Sequence, residues 1–262
     1  MYKHLKAELF KLIHSYIFYL LPILFIVLFI ILTQTTDGIY ILYSNWGKDS
    51  MGFFAFIKSD NSIYSISDLV NTVISPSWGI WILMMILTIS TFYKDYTLGT
   101  IRLSYNCGIS TVAIVFSKII TIILYFSLCY FIFSFICALY CVSYMSIKLN
   151  FIIILEIFKA TFLCYLIFIA FSITCVFITA LINSILLSTT IISIGTLVSA
   201  YLLIVTWDPS VSTPFYLLIS PMYYLMSIAH RNILGEILLY CACNFFLLLP
   251  ASIMLLKKKI IT

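Results

Sequence analysis

The densest group of residues suited to chemistry lies between Phe92 and Lys118, where charged, small and hydroxyl side chains interrupt an apolar chain. Asp95 and Arg102 supply opposite charges for bracing a loop or contacting a partner, because hydrogen bonds between ionised groups are strong. Gly99 allows close approach of another backbone, and Gly108 permits a sharp turn. This pattern favours recognition by charged groups.

Residues arranged for catalysis do not occur in the apolar runs. The three histidines lie outside them, and no nucleophile with a base, or set of metal ligands, is placed there. No G-x-x-x-x-G-K-[ST] phosphate loop occurs, so the usual ATP cradle is missing. Cys241-Ala-Cys243 has no His or acidic partner at ligand spacing, and the cysteines other than Cys107 are expected to pack as small apolar residues. We predict no enzyme activity, no catalytic or metal site and no cofactor in this chain.

The composition indicates a membrane protein. Hydrophobic residues make up 64% of the 262 positions and charged residues 9%, and the mean hydropathy is +1.18. Ala160 to Trp207 contains no charged residue and as one helix would reach roughly 70 Å, whereas a hydrocarbon core is about 30 Å thick. Asn183 and Ser184 divide this run, which predicts two spans joined by a tight turn.

Charged residues punctuate the rest of the chain at lengths that fit a bilayer, so the sequence predicts an all-α polytopic membrane protein with six transmembrane helices. The net charge is +5, but the basic residues lie mainly at the ends of apolar runs and not in one patch. This distribution argues against nucleic acid as a binding partner. The predicted spans lie within Leu12–Thr36, Leu69–Tyr93, Ile119–Ile147, the two halves of Ala160–Trp207, and Ile237–Leu256.

The positive-inside rule predicts the orientation, because Lys and Arg beside short loops favour the cytoplasm. Three basic groups fall on one predicted face: Lys3, Lys6 and Lys11; Lys94, Arg102 and Lys118; and Lys257, Lys258 and Lys259. Both termini of this multi-pass protein are therefore expected in the cytoplasm.

Three further segments complete the predicted single domain, residues 1–262. Residues 1–14 form an amphipathic pattern expected to lie along the inner leaflet as an interfacial helix. Residues 37–68 are expected to cap the outer face, and residues 207–235 to form an outer re-entrant segment before the last span, since their apolar part is too short to cross. Pro22 and Pro250 are expected to kink the first and sixth spans.

The loop from residues 92 to 118 resembles the cytoplasmic coupling loop of type-2 ATP-binding-cassette (ABC) exporter permeases. In that family an acidic residue, a Gly-Thr pair, an apolar residue and a basic residue precede a small turn and a Lys opening the next span. The matching positions are Asp95, Gly99, Thr100, Ile101, Arg102, the turn Asn106–Ser110, and Lys118. The predicted architecture is also similar across nearly the whole chain.

The resemblance implies a function and partners. The loop would form a coupling helix that docks into a cytoplasmic ABC ATPase subunit, which binds ATP and Mg, and a second permease subunit, identical or related, would complete the transporter. The short, basic-tailed, Ile- and Phe-rich chain resembles the bacterial branch that exports bacitracin, lantibiotics and amphipathic peptides. It implies a permease in the bacterial cell membrane, in contact with lipid, that confers antibiotic resistance by peptide export.

Two alternatives stay open. A stand-alone membrane immunity or binding protein would intercept a hydrophobic peptide without an ATPase. An intramembrane enzyme would need polar groups at membrane depth, where Glu156 is the nearest candidate. The i,i+3 spacing of Glu156 and Lys159 favours an ion pair within one helix, and an outer substrate exit is the alternative role.

Overall fold

The computed structural model describes residues 2–34, 77–144, 150–182, 184–206 and 234–261, with isolated positions at 70, 73–74, 221, 224–225 and 228. The predicted outer cap, 37–68, and most of the predicted re-entrant segment, 207–235, lie outside these residues. The described part is helical and contains no strand. Its helices are α1 (Tyr2–Ile13), α2 (Tyr16–Gln34), α3 (Ser77–Thr97), α4 (Thr100–Asn106), α5 (Thr111–Tyr144), α6 (Phe151–Ile182), α7 (Ile185–Thr206), α8 (Leu234–Cys243) and α9 (Leu249–Ile261), with a π-helical turn at Asn244–Leu248 between the last two.

Helices α1 and α2 meet at a bend of 60°. The predicted first span began at Leu12, but Leu12 belongs to α1 and the second helix begins at Tyr16. The Ser15 hydroxyl donates to the carbonyl of Leu12 at 2.7 Å, which satisfies one of the orphan acceptors where α1 ends. The chain therefore changes direction near the start of the run that the sequence assigned to one span.

Pro22 lies inside α2, where it cannot donate a hydrogen bond to the carbonyl of Phe18, four residues earlier. The hydroxyl of Tyr125, on α5, donates to that carbonyl instead. The rings of Phe18 and Tyr125 also stack with centroids 4.9 Å apart. A neighbouring helix thus satisfies the backbone acceptor that proline leaves unpaired, as helices in an apolar solvent require.

The predicted coupling loop, residues 92–118, is mostly helical. Its first residues continue α3 to Thr97, α4 occupies its centre, and α5 begins at Thr111 instead of near Ile119. Only Leu98–Gly99 and residues 107–110 interrupt the helices. The helices continue past the charges that bounded the predicted spans, because Asp95 and Lys118 pair with each other inside the packed helices and therefore do not end them.

Helix α6 is the centre of the packing and contacts α3, α5, α7, α8 and α9. Phe168 and Phe171 are fully buried on it. Phe168 packs edge-on against Tyr130 of α5, with ring centroids 5.3 Å apart, and Phe171 packs edge-on against Trp81 of α3, at 6.1 Å. The end of α6 at Ile182 and the start of α7 at Ile185 confirm the predicted division of the charge-free run.

The last helical stretch contains an irregularity just before Pro250. The π-helical turn at Asn244–Leu248 separates α8 from α9. A proline ring clashes with the carbonyl four residues earlier, here that of Phe246, and a wider turn accommodates such a disruption. The irregularity expected from Pro250 thus takes the form of a π-helical turn.

Three helices among the described residues are long and apolar enough to cross a membrane, and α1 with α2 add a fourth if the bent pair is one span. The three are Thr111–Tyr140, Phe151–Ile182 and Leu234–Lys259. At 1.5 Å per residue, the 34 residues of α5 and the 32 of α6 reach about 50 Å each, beyond the roughly 30 Å of hydrocarbon. Their ends have room for polar contacts outside the hydrocarbon.

Candidate functional site

The predicted coupling residues lie at one end of the helix bundle, where α3 ends, α4 crosses and α5 begins. We call this the α4 end. The Lys118 ammonium group contacts the carboxylate of Asp95, and the Thr100 hydroxyl donates to Asp95 Oδ1 at 2.9 Å. Three of the six predicted site residues thus form one connected group, although they are far apart in the sequence.

Helix α1 contributes the second acid of this group. Glu8 Oε2 accepts a hydrogen bond from Lys118 Nζ at 2.7 Å, and Glu8 Oε1 accepts one from Lys11 Nζ at 3.0 Å. Lys11 Nζ also lies 3.9 Å from Asp95 Oδ2. We call Glu8, Lys11, Asp95 and Lys118 the charge cluster, which joins α1, α3 and α5.

The charge cluster is buried and electrically balanced. Side-chain exposure is 2% for Lys118, 4% for Glu8 and 12% for Asp95, while Lys11 reaches the surface. Burial by itself disfavours the ionised Glu8 carboxylate, but the ammonium groups of Lys118 and Lys11 outweigh burial and hold the pKa of Glu8 below its ordinary value. Two acids thus face two bases, and removal of one would leave a partner buried without its counter-charge.

Gly99 forms the corner between α3 and α4. Its φ of 68° lies in the left-handed region, and a Cβ added there would meet nothing within 4 Å. The left-handed backbone conformation is itself a reason for glycine here, and close approach of another backbone stays a prediction. Gly108, with φ 82°, confirms the predicted sharp turn after α4.

Helix α4 has an inner and an outer face. Ile101 is buried against the bundle with 4% exposure, whereas Leu98 and Leu103 are 65% and 66% exposed. Arg102 is also exposed, beside Leu103. The outer side of α4 and of the turn that precedes it, which we call the outer face of α4, therefore exposes Leu98 and Leu103 together with part of Arg102.

Arg102 does not pair with Asp95, the bracing that their charges suggested. It donates from a guanidinium nitrogen to the backbone carbonyl of Lys259 at 3.2 Å. Lys259 in turn donates to the carbonyls of Ala180 and Leu181 in the last turn of α6, the second at 3.2 Å. An ammonium group at the C-terminus of a helix satisfies orphan carbonyls and complements the helix dipole. Helix α4 is thus linked through α9 to α6.

Sequence reasoning missed Glu8 and Lys11 as site residues. The available signal was the position of Glu8 between Leu5, Leu9 and Leu12 on the predicted apolar face of the N-terminal helix. An acid on an apolar face must find a cation when that face is buried. The identity of that cation depends on the packing of α1 against α5, which no local pattern contains.

Glu156 and Lys159 lie outside the charge cluster. Glu156 and Lys159 form the predicted i,i+3 ion pair at 3.8 Å and remain largely exposed. Within the described residues no three His, Cys, Asp or Glu side chains are grouped to hold a metal ion.

Comparison with protein-family models, curated protein sequences and solved structures finds no match to this chain.

Proposed function

We propose that this chain is the membrane-spanning permease subunit of an ATP-driven exporter, with α4 as the helix that docks into a separate cytoplasmic ATPase subunit. In this proposal the chain crosses the bacterial cell membrane six times, keeps both termini in the cytoplasm and pairs with a second permease subunit. The cargo is a hydrophobic or amphipathic peptide or antibiotic. ATP and Mg bind to the ATPase subunit, whose closure drives the change in the permease.

The observation that carries the proposal is the outer face of α4. Leu98 and Leu103 are both about two thirds exposed at the tip of a polar connection, next to the exposed Arg102. Leu98 precedes α4 and Leu103 lies within it, and exposed apolar side chains beside a buried one, here Ile101, are typical of a protein-protein contact. An arginine beside them adds donors for carbonyl or carboxylate groups of a partner.

Two links from α4 into the helix bundle support a coupling role. Thr100 is hydrogen-bonded to Asp95, which belongs to the charge cluster and therefore connects α4 to α1 and α5. Arg102 connects α4 through Lys259 to the end of α6. A partner that moves α4 would therefore displace helices on both sides of the bundle, including the central one.

The docking step is tested by copurification from native membranes with the full-length chain as bait. We expect an ATPase with a phosphate loop to copurify, and Leu103→Ser to reduce its recovery at least tenfold while the chain stays in the membrane, since burial of a leucine side chain contributes about 1.5–3 kcal/mol and about 1.4 kcal/mol corresponds to a tenfold change in affinity. Leu186→Ser, at a similarly exposed leucine on α7, is the matched control. Peptide binding without any ATPase would support the stand-alone protein instead.

The coupling step is tested by substitution of Gly99, once the ATPase has been identified. Gly99→Leu forces a branched side chain into the left-handed region at a cost of about 1–2 kcal/mol, so we expect α4 to tilt and ATP hydrolysis to continue without transport. Gly99→Asn is the control, because Asn tolerates this conformation. Double substitution of Asp95 and Arg102 removes both links and should have the same effect. Normal transport per ATP by the leucine variant would exclude the coupling role.

A further inference from the structure

His4, in the first turn of α1, lies beside the charge cluster without belonging to it. Its side chain is 11% exposed, and its Nε2 is 3.8 Å from Glu8 Oε1, beyond hydrogen-bond distance. Both oxygens of Glu8 already accept a hydrogen bond, one from Lys11 and the other from Lys118. The buried Nε2 has no hydrogen-bond partner in the described part of the chain. Because nearly all buried polar atoms are hydrogen-bonded, this nitrogen has no evident role in holding the fold together.

Protonation of His4 would unbalance the charge cluster. The two acids and two lysines of the cluster sum to zero charge when all are ionised, so an imidazolium ion beside them would leave one buried positive charge without a counter-charge. The groups that face His4 are Glu8, Lys11 and the amino terminus on its own segment, and Lys118 on α5. Asp95 of α3 lies behind Lys118 and pairs with it. Helix α2, which also contacts α1, contains no acidic or basic residue.

The charge cluster can separate into two balanced pairs at the interface between α1 and the rest of the bundle. Glu8 and Lys11 both belong to α1 and lie 3.0 Å apart, whereas Asp95 of α3 and Lys118 of α5 pair on the other side. If α1 moved away, each side would keep one acid and one base, so no buried charge would lose its only partner. The 60° bend between α1 and α2 marks a break in the helix at which α1 can turn.

We propose that α1 is a pH-controlled helix, docked on the bundle while His4 is neutral and released to the membrane surface when His4 is protonated. The surface position suits α1, because Leu5, Leu9 and Ile13 can enter the lipid while its lysines and a charged His4 stay at headgroup level. The interfacial helix predicted from the sequence and the docked helix of the structure are then two positions of one segment. The device requires only that the apolar helices lie in a membrane, and it does not rest on the transport proposal.

The pH dependence follows from the surroundings of His4 in the docked position. Burial lowers the pKa of His4, the Glu8 carboxylate opposes this effect, and the positive charges of Lys118, Lys11 and the amino terminus add to it. In the released position the ring is solvated and titrates near its ordinary pKa of about 6.5. The released form therefore binds more protons, so docking is stable above about pH 6.5 and weakens as the pH falls from there through the lowered pKa. The ratio of released to docked chains rises about tenfold for each pH unit that separates the two pKa values.

The test follows α1 by fluorescence energy transfer in the full chain, reconstituted into vesicles of phosphatidylcholine and phosphatidylglycerol. A fluorescent amino acid replaces Ala7, which is exposed on α1, and a maleimide acceptor is attached to Cys107, which is exposed at the end of α4. We expect transfer to be constant above about pH 7 and to fall reversibly between about pH 6.5 and about pH 5. Glu8 stays ionised over this range, because Lys118 and Lys11 outweigh burial and hold the pKa of Glu8 below its ordinary value. Circular dichroism at each pH verifies that the helices remain intact.

Three variants assign the transition to His4. His4→Gln keeps a polar side chain that cannot take up a proton, so transfer should stay at its neutral-pH value down to about pH 5. His14→Gln is the matched control, because His14 is exposed and follows α1, and it should show the same fall as the unsubstituted chain. Glu8→Gln gives the cluster the same excess positive charge without a proton, so transfer should already be low at about pH 7.5.

Four results would overturn the proposal. They are constant transfer in the unsubstituted chain down to about pH 5, a fall that persists in His4→Gln, a fall abolished by His14→Gln, and loss of helicity at the same pH as the fall, which would show unfolding instead of release.

Discussion

The charge cluster and the Thr174–Asn244 pair are both buried polar groups that connect helices, and they differ in kind. The charge cluster at the α4 end uses full charges on Glu8, Asp95 and Lys118. Farther from that end, Thr174 of α6 donates to Asn244 Oδ1 at 2.7 Å, and Asn244 Nδ2 donates to the Tyr240 carbonyl at 3.0 Å. Thr174 and Asn244 are neutral and fully buried. The bundle thus places ion pairs near its end and hydrogen bonds between uncharged groups in its interior.

The difference follows from the cost of burial. A charge in an apolar medium is tolerated only with a counter-charge, and the cost falls toward the interface, where headgroups and water are near. An amide and a hydroxyl cost less and need only each other. Asn244 also opens the π-helical turn, so the neutral pair joins α6 to an irregular helix, whereas the charge cluster joins regular ones.

The largest expected effect comes from Lys118→Met. It leaves Glu8 and Asp95 buried together with only the half-exposed Lys11 as counter-charge, and such losses cost about 3–5 kcal/mol. We expect a marked fall in the thermal unfolding temperature of the detergent-solubilised chain.

The matched control replaces the three buried members of the charge cluster together, by Lys118→Met, Glu8→Gln and Asp95→Asn. It leaves no unpaired buried charge, so most of the lost stability should return. If the single and the triple variant are equally unstable, the cluster does not act through charge balance.

Asn244→Leu tests the neutral pair and should cost about 1–2 kcal/mol, because the Thr174 hydroxyl loses its acceptor in the interior. The same unfolding measurement applies. A loss as large as that of Lys118→Met would remove the distinction drawn between the two polar groups.

Thr174→Val is expected to have the smallest effect, about 0.6 kcal/mol, which is typical of a hydrogen bond between membrane helices. Valine keeps the shape of threonine, so packing is preserved and the hydrogen bonds of the hydroxyl are removed. Its effect should depend on Asn244: in the Asn244→Leu background the further loss should be smaller than in the unmodified chain. Full additivity in this double-mutant cycle would show that the two side chains act independently.

The sequence predicted the helices better than their ends. Apolar runs and the Asn183–Ser184 division located α6 and α7, because hydrophobic length is a local property. The ends of α3 and α5 could not be located, since Asp95 and Lys118 mark the limits of the apolar runs but are partners inside the packed end, where the helices continue. The sequence predicted the site residues of the loop, because their spacing is recognisable. It did not predict Glu8, because Glu8 joins the site only through the packing of α1 against α5, which is a long-range contact. The six spans, their orientation and the ATPase partner stay predictions.

The contact between Tyr125 and the Phe18 carbonyl constrains which substitutions positions 22 and 125 can accept. Tyr125 supplies the hydrogen bond that Pro22 withholds. A chain with alanine at position 22 regains the backbone donor, and phenylalanine at position 125 then carries no penalty beyond the lost hydroxyl. The two positions should therefore covary: proline at 22 restricts 125 to side chains with a donor, and any other residue at 22 relaxes that restriction.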